Sequence, residues 1–287
     1  MVQGTNRIVT TRDIAGNFAL KRVQTRCNNP MPATAKVVTD RSCSATMYSV
    51  GYTLNNRHLE LYRTCYDRAN VRTLFTSHQV YKKSFFLTRP CTRFTTDNLI
   101  SNADAATFTT ASIFNKFRSI FGNNQRYIRN NQDVVLNRGH LTPSADFLYL
   151  DQACATFKYI NVVPQFRTIN DRNWETIERY VRNQITQSFL RIKTGAVGIL
   201  TLPDSGRTQR RVILGSGNKN PVPLWMYKIV RTEQNRPLHA FLVYNNIFAR
   251  TRPRAPRWCT SIRCPITLAA GPAAGYTFCC NPTTFNP

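Results

Sequence analysis

Residues 136–147 read LNRGHLTPSADF, which sets Arg138 and His140 two positions apart in a chain holding only four histidines. On an extended strand, residues i and i+2 share a face, so this guanidinium and this imidazole can meet the same ligand. Arginine offers a planar fork suited to a phosphate, and a neutral imidazole can take a proton from an attacking water. Further on, INDRNWETIERYVR places Asn170, Trp174, Glu178 and Arg182 at every fourth position, one slowly drifting stripe of a helix. An Asn side chain is a hard oxygen ligand, and Mg²⁺ accepts few protein oxygens while keeping several waters. A His, two Asn, a Glu and several Arg in so short a segment suffice for metal-assisted hydrolysis of a phosphodiester. The same residues also read more plainly, as a solvated helix face with an i,i+4 Glu–Arg pair and a hydrogen-bonded structural histidine.

Positioning these groups requires a strand carrying RGH, a polar turn, a second strand around YINVVPQ and then the helix. FKYINVV (157–163) is a strand candidate and NDRNWETIERYVRNQI the clearest helix in the chain, with Ile169, Ile177 and Val181 free to face a core. Around them lie strand-like runs: ATMYSVGYTL, HLELYRTCYD and VRTLFTSHQVY before the motif, then TGAVGILTLPD, RRVILG, PLWMYKIVR and HAFLVYNNI after it, the last four predicted as strands of one antiparallel sheet. AATFTTASIFNKFRSIFG repeats apolar residues at three and four and ends at Gly122 like a capped helix. Residues 1–45, with Asn-Asn-Pro and Met-Pro breaks, read as an irregular amino-terminal region. The fold class is therefore α+β: mixed α/β elements with a central antiparallel sheet.

The charge names a partner. Lys and Arg total 39 against 14 Asp and Glu, a net +25, which calls for a polyanion such as nucleic acid, an anionic membrane or an acidic polysaccharide. No amphipathic basic helix is present, which argues against a membrane-active cationic protein. No stretch approaches the roughly 18 apolar residues of a membrane span. Nine cysteines, at 27, 43, 65, 91, 154, 259, 264, 279 and 280, form no paired CxxC metal pattern. Their wide spacing suits up to four disulfides and one free thiol in an oxidising compartment. Cys259 and Cys264 could close a small loop, adjacent Cys279 and Cys280 are expected to reach different partners, and Cys154 is the expected unpaired thiol. The amino terminus MVQGTNRIVTT has no apolar core of a signal peptide, so secretion implies a signal already removed.

The three segments RGHLTPSADF, ATFKYINVVPQF and INDRNWETIERYVR, in this order and spacing, closely resemble the DNA/RNA non-specific endonuclease family, the ββα-metal nucleases. The close resemblance runs over 136–182. Weaker similarity through CYDRANVRTLFTSHQVYKKSFFLTRP and GAVGILTLPD is like that of secreted invertebrate nucleases acting on duplex DNA or double-stranded RNA. The resemblance implies a ββα-metal motif on the sheet and a nuclease domain over 46–287. It makes His140 the general base, places Arg138 near the phosphate, and makes Asn170 the direct protein ligand of Mg²⁺, with Mn²⁺ as a substitute. Asn161 would steady the site, Glu178 would accept hydrogen bonds from water around the ion, and Arg182 and Arg89 would bind phosphate. The implied activity is secreted, sugar-non-specific endonucleolytic hydrolysis with 5′-phosphate products, on nucleic acid that includes double-stranded RNA. Many family members have Asp before Arg-Gly-His; here Asn137 stands there, which favours as the alternative a non-catalytic nucleic-acid-binding protein on the same fold. Two arginine groups, Arg207, Arg210, Arg211 and Arg250, Arg252, Arg254, Arg257, are candidate phosphate-tracking surfaces.

Overall fold

A computed structural model describes residues 31–83, 91–186 and 188–287. Cys27 and Arg89, and with Arg89 its expected phosphate contact, lie outside the described residues.

The backbone of the molecule is a nine-stranded antiparallel sheet. Four strands lead into it: β1 (Thr34–Val38), β2 (Thr46–Leu54), β3 (Arg57–Asp67) and β4 (Arg72–Tyr81). Two short helices follow, α1 (Asn102–Ala106) and α2 (Thr110–Phe121), then β5 (Leu136–His140), α3 (Leu150–Cys154) and β6 (Val162–Phe166). One helix comes next, built from an α turn Arg167–Ile169, a π turn Asn170–Trp174 and the α segment Glu175–Asn183, here α4. The chain returns to the sheet with β7 (Phe189–Val197), leaves it for the hairpin β8 (Thr201–Pro203) and β9 (Gln209–Arg211), and completes it with β10 (Trp225–Arg231), β11 (Pro237–Tyr244), β12 (Ser261–Ile262) and β13 (Thr277–Cys280). The sheet order is β1-β2-β3-β4-β7-β10-β11-β13-β12, while β5-β6 and β8-β9 form separate two-stranded ribbons.

The central strands are buried on both faces, which explains their nearly unbroken apolar runs. In β10, Met226 and Val230 join a core with Ile192, Phe241, Phe166, Trp174, Ile177 and Val181 under the helices, whereas Trp225, Tyr227 and Ile229 join Phe75, Leu242 and Phe278 on the opposite face. The period of two in the strands thus sorts residues between two layers. In the helix, Ile169, Ile177 and Val181 are buried as their spacing predicts. Each fully buried aliphatic side chain of this kind contributes about 1.5–3 kcal/mol.

Several expectations need correction. Residues 34–38, expected to be irregular, pair along β2 as an edge strand. The runs TLPD and RRVILG are not in the central sheet: Thr201–Pro203 and Gln209–Arg211 pair with each other, and Ile213 makes a single bridge to Pro221. The helix ending at Gly122 begins at Thr110, because Thr109 caps it by accepting from the Ser112 amide. The disulfides are Cys43–Cys65, Cys91–Cys154, Cys259–Cys280 and Cys264–Cys279. Cys154 is therefore bridged, and Cys259 and Cys264 do not pair with each other. Cys279 and Cys280 do reach different partners, as a strand requires of neighbouring side chains on opposite faces.

Candidate active site

The active-site candidate rests on the ribbon β5-β6 and the helix that follows it. Pairing sets Arg138 opposite Pro164, Gly139 opposite Val163 and His140 opposite Val162. Strand alternation turns Arg138 and His140 to one side, and both line a cleft of about 630 Å³. Gly139 points to the other side, where a Cβ would stand 2.6 Å from Gln165 Cβ and 2.3 Å from its Oε1. Any side chain there would push the ribbon apart, so glycine is required by close approach rather than by a left-handed backbone.

The helix begins directly at Arg167, whose amide donates to the Val135 carbonyl at 2.9 Å. Asn170 and Glu178 line the same cleft as Arg138 and His140, as do Arg167, Asp171 and Glu175. The intervening Trp174 is only 1% exposed and belongs to the core, so the stripe of every fourth residue divides between cleft and interior. The Asn170 Nδ2 donates to Asp171 Oδ1 at 3.0 Å, and Asp171 lies 3.5 Å from the Arg167 guanidinium. This bond leaves the amide oxygen of Asn170 as the donor atom available to a cation.

Behind the cleft is a polar support. Asn161, fully buried, exchanges hydrogen bonds with both backbone groups of Thr142: its Oδ1 accepts from the amide at 2.9 Å and its Nδ2 donates to the carbonyl at 2.9 Å. A third bond runs from Nδ2 to the Thr156 carbonyl at 2.8 Å. The turn immediately after His140 is thereby held to the start of β6. Thr142 Oγ1 in turn donates to Thr76 Oγ1 of β4 at 2.8 Å, anchoring the ribbon to the large sheet.

Arg182 does not line the cleft. Its Nη1 donates to Asp146 Oδ1 at 2.9 Å, and its side chain is 9% exposed. Asp146 Oδ2 lies 2.8 Å from His78 Nε2 on β4. Burial by itself would raise the Asp146 carboxyl, but the hydrogen bond from His78, its charge and those of Arg182 and Lys228 hold it well below the usual carboxylate range. Because an ionised carboxylate only accepts, Nε2 of His78 carries the donated proton. Burial keeps the His78 imidazole below its ordinary value against the pull of Asp146. Glu178, 4.0 Å from Arg182, is pushed upward by burial, with Lys228 opposing the shift. Lys228, on the helix-facing side of β10, donates from Nζ to Thr194 Oγ1 at 2.7 Å and sits 5.0 Å from the Trp174 ring centroid.

The structure thus brings His140, Arg138, Asn170 and Glu178 to one cleft and sets Asn161 and Arg182 behind it. Asp146, His78, Lys228 and Phe94, the last a further lining residue of the cleft, were not foreseen. Only Asp146 had a local signal, as the acid closing the motif's polar turn; the others depend on contacts between distant segments. All seven residues of the arginine groups are exposed; Arg210 is in addition tied to Asp204 at 2.9 Å and Arg252 to the Thr277 carbonyl at 2.9 Å.

The model of the family described as DNA/RNA non-specific endonuclease matches residues 43–285. The chain is 29% identical over 255 residues to a salivary endonuclease of Lutzomyia longipalpis, covering 86% of this chain and 61% of that protein. It is 31% identical over 136 residues to a salivary endonuclease of Culex quinquefasciatus, covering 47% of this chain and 35% of the relative. The chain thus spans less than two thirds of the length of either. Among solved structures, a chain of the EndoG/EndoGI complex aligns at 19% identity with a TM-score of 0.46, covering 69% of this chain and 76% of that one.

Proposed function

The chain belongs to the DNA/RNA non-specific endonuclease family, and from that premise we propose that it is a secreted, Mg²⁺-dependent endonuclease that hydrolyses phosphodiester bonds in DNA and RNA. Its substrates include double strands, double-stranded RNA among them, and cleavage leaves 5′-phosphate and 3′-hydroxyl ends. The observation that carries this reading is the convergence of Arg138 and His140 from β5 with Asn170 and Glu178 from the helix on one cleft.

In this reading His140 takes the proton from the water that attacks phosphorus, the bond from phosphorus to O3′ breaks, and the departing O3′ takes a proton from solvent water to become the 3′-hydroxyl. Arg138 binds a non-bridging oxygen and neutralises charge that grows as the water attacks. The residues present fit a Mg²⁺ ion: Asn170 offers one hard oxygen, and Glu178 offers a carboxylate to surrounding water. Among the described residues no three His, Cys, Asp or Glu side chains converge on one point, so such an ion relies on few protein ligands. When bound, Mg²⁺ supplies Lewis-acid stabilisation of the phosphate, and Mn²⁺, which also favours oxygen donors, substitutes. Asn161 holds the turn after His140. Arg182 holds Asp146 and Glu178 instead of touching phosphate. Phosphates carry most duplex affinity, so no base readout is needed. Four disulfides fit an oxidising compartment and hence secretion.

The test is incubation of the purified protein with plasmid DNA and with double-stranded RNA, in Mg²⁺ and then with a chelator. Cleavage in Mg²⁺ that stops on chelation is the expected result. Binding with both substrates left intact would point instead to a non-catalytic nucleic-acid-binding protein on this fold.

A further inference from the structure

Arg138 makes no ion pair among the described residues, yet its guanidinium is not left to wander. Its Cζ lies 4.5 Å from the ring centroid of Phe94, and its Nη1 is 3.5 Å from the Tyr159 hydroxyl. The same Phe94 ring stands 5.3 Å from the imidazole of His140 and 5.1 Å from Phe157, and Phe157 meets His140 edge-on at 4.9 Å. One half-buried aromatic ring therefore touches both the cation and the imidazole that face the cleft.

The segment bearing Phe94 is clamped along its length. Cys91 is bridged to Cys154. The Thr95 amide donates to the Phe157 carbonyl at 2.9 Å, and the Tyr159 amide donates to the Thr95 carbonyl at 3.1 Å. Lys158 closes the far end on Asp97 at 2.6 Å, with side chains 5% and 17% exposed. These contacts hold the chain on both sides of Phe94 against residues 154–159.

We propose that Phe94 is a positioning residue for the reaction, holding the Arg138 guanidinium over its face and, with Phe157, boxing in the His140 imidazole. The inference rests on the roles assigned to Arg138 and His140 above. A carboxylate in this place would orient the guanidinium but cancel its charge and occupy its N–H fork. A π face attracts the cation without taking up its donors, so the fork stays available to a phosphate. The aromatic walls also limit the rotation of the His140 imidazole before the water attacks.

The test compares Phe94→Leu and Phe94→Tyr in the wild-type chain and in an Arg138→Met background, with His140→Ala as control, measuring melting temperature, kcat and KM on duplex substrate. Phe94→Leu is expected to lower kcat/KM about tenfold with little change in melting temperature, and Phe94→Tyr, which keeps the ring, to stay within about twofold of wild type. In the Arg138→Met background the further loss from Phe94→Leu should shrink to about threefold, because part of the ring's work is gone. The same factor in both backgrounds, or a Phe94→Leu protein with wild-type kcat/KM, overturns the proposal. Should Phe94→Leu fail to fold, Phe94→Met carries the same comparison. Cleavage surviving in His140→Ala would overturn the underlying mechanism instead, so the two failures are distinguishable.

Discussion

Arg182 Nη1 donates to Asp146 Oδ1 at 2.9 Å across 36 residues of sequence, and both side chains are more than nine-tenths shielded from solvent. This pair joins the polar turn after His140 to the helix that carries Asn170 and Glu178. It ties the two halves of the cleft together.

Replacing Asp146 by Asn keeps the shape and removes the charge, leaving Arg182 the more distant carboxylate of Glu178 at 4.0 Å. Breaking a buried pair from one side typically costs about 3–5 kcal/mol, so Asp146→Asn should unfold at clearly lower urea than wild type at pH 7. The pH dependence has a definite sign. Asp146 is held below its ordinary value in the folded protein. Its contribution is therefore complete above the unfolded carboxyl value of about 3.9 and is lost as pH falls through and below it. Urea melts from neutral pH to about pH 3 should show a shallower acid decline in Asp146→Asn than in wild type. Parallel declines would show that the pair does not set acid stability.

His140→Ala should lower kcat by at least about two orders of magnitude, the scale expected of a general base, while duplex binding and melting temperature persist. Near-normal turnover in the folded variant would remove His140 from the chemistry.

Asn170→Ala should abolish Mg²⁺ binding measured by calorimetry without nucleic acid, and with it Mg²⁺-dependent cleavage, while metal-free duplex binding survives. Asp171→Ala, which frees the Asn170 amide to rotate, should weaken Mg²⁺ binding about tenfold, in the range for outer ligand partners. An unchanged affinity in Asp171→Ala would show that the amide needs no such orientation.

Gly139→Ala should destabilise by about 1–3 kcal/mol through overpacking against Gln165. Adding Gln165→Ala empties the clashing space and should recover part of that loss, read as a rise in melting temperature over the single variant. A Gly139→Ala protein as stable as wild type would mean that the ribbon yields more easily than its spacing implies.

Duplex affinity measured without Mg²⁺ should fall linearly on a log–log plot against salt, by roughly 0.9 per phosphate neutralised. Arg254→Glu with Arg257→Glu should reduce that slope by about 2 and weaken binding to all duplexes alike. An unchanged slope would take these two exposed arginines off the substrate path.

Much of this arrangement was legible in the residue order because it depends on local geometry. Arg138 and His140 share a face because strand residues two apart must, and Gly139 between them leaves room for the neighbouring strand. Ile169, Ile177 and Val181 face the core because helical spacing puts them there. What the order of residues could not contain is which distant segments meet. Trp174 lies in the same stripe as Asn170 and Glu178, yet packing against the sheet drew it inward. Arg182 has the spacing of a cleft residue, but Asp146 from another segment captured it. Phe94 carries no motif, and it reaches Arg138 and His140 only because the chain around it is held along 154–159 by a disulfide, backbone bonds and an ion pair. Local periodicity decides which way a side chain points from its own element; only the packing of elements decides what it finds there.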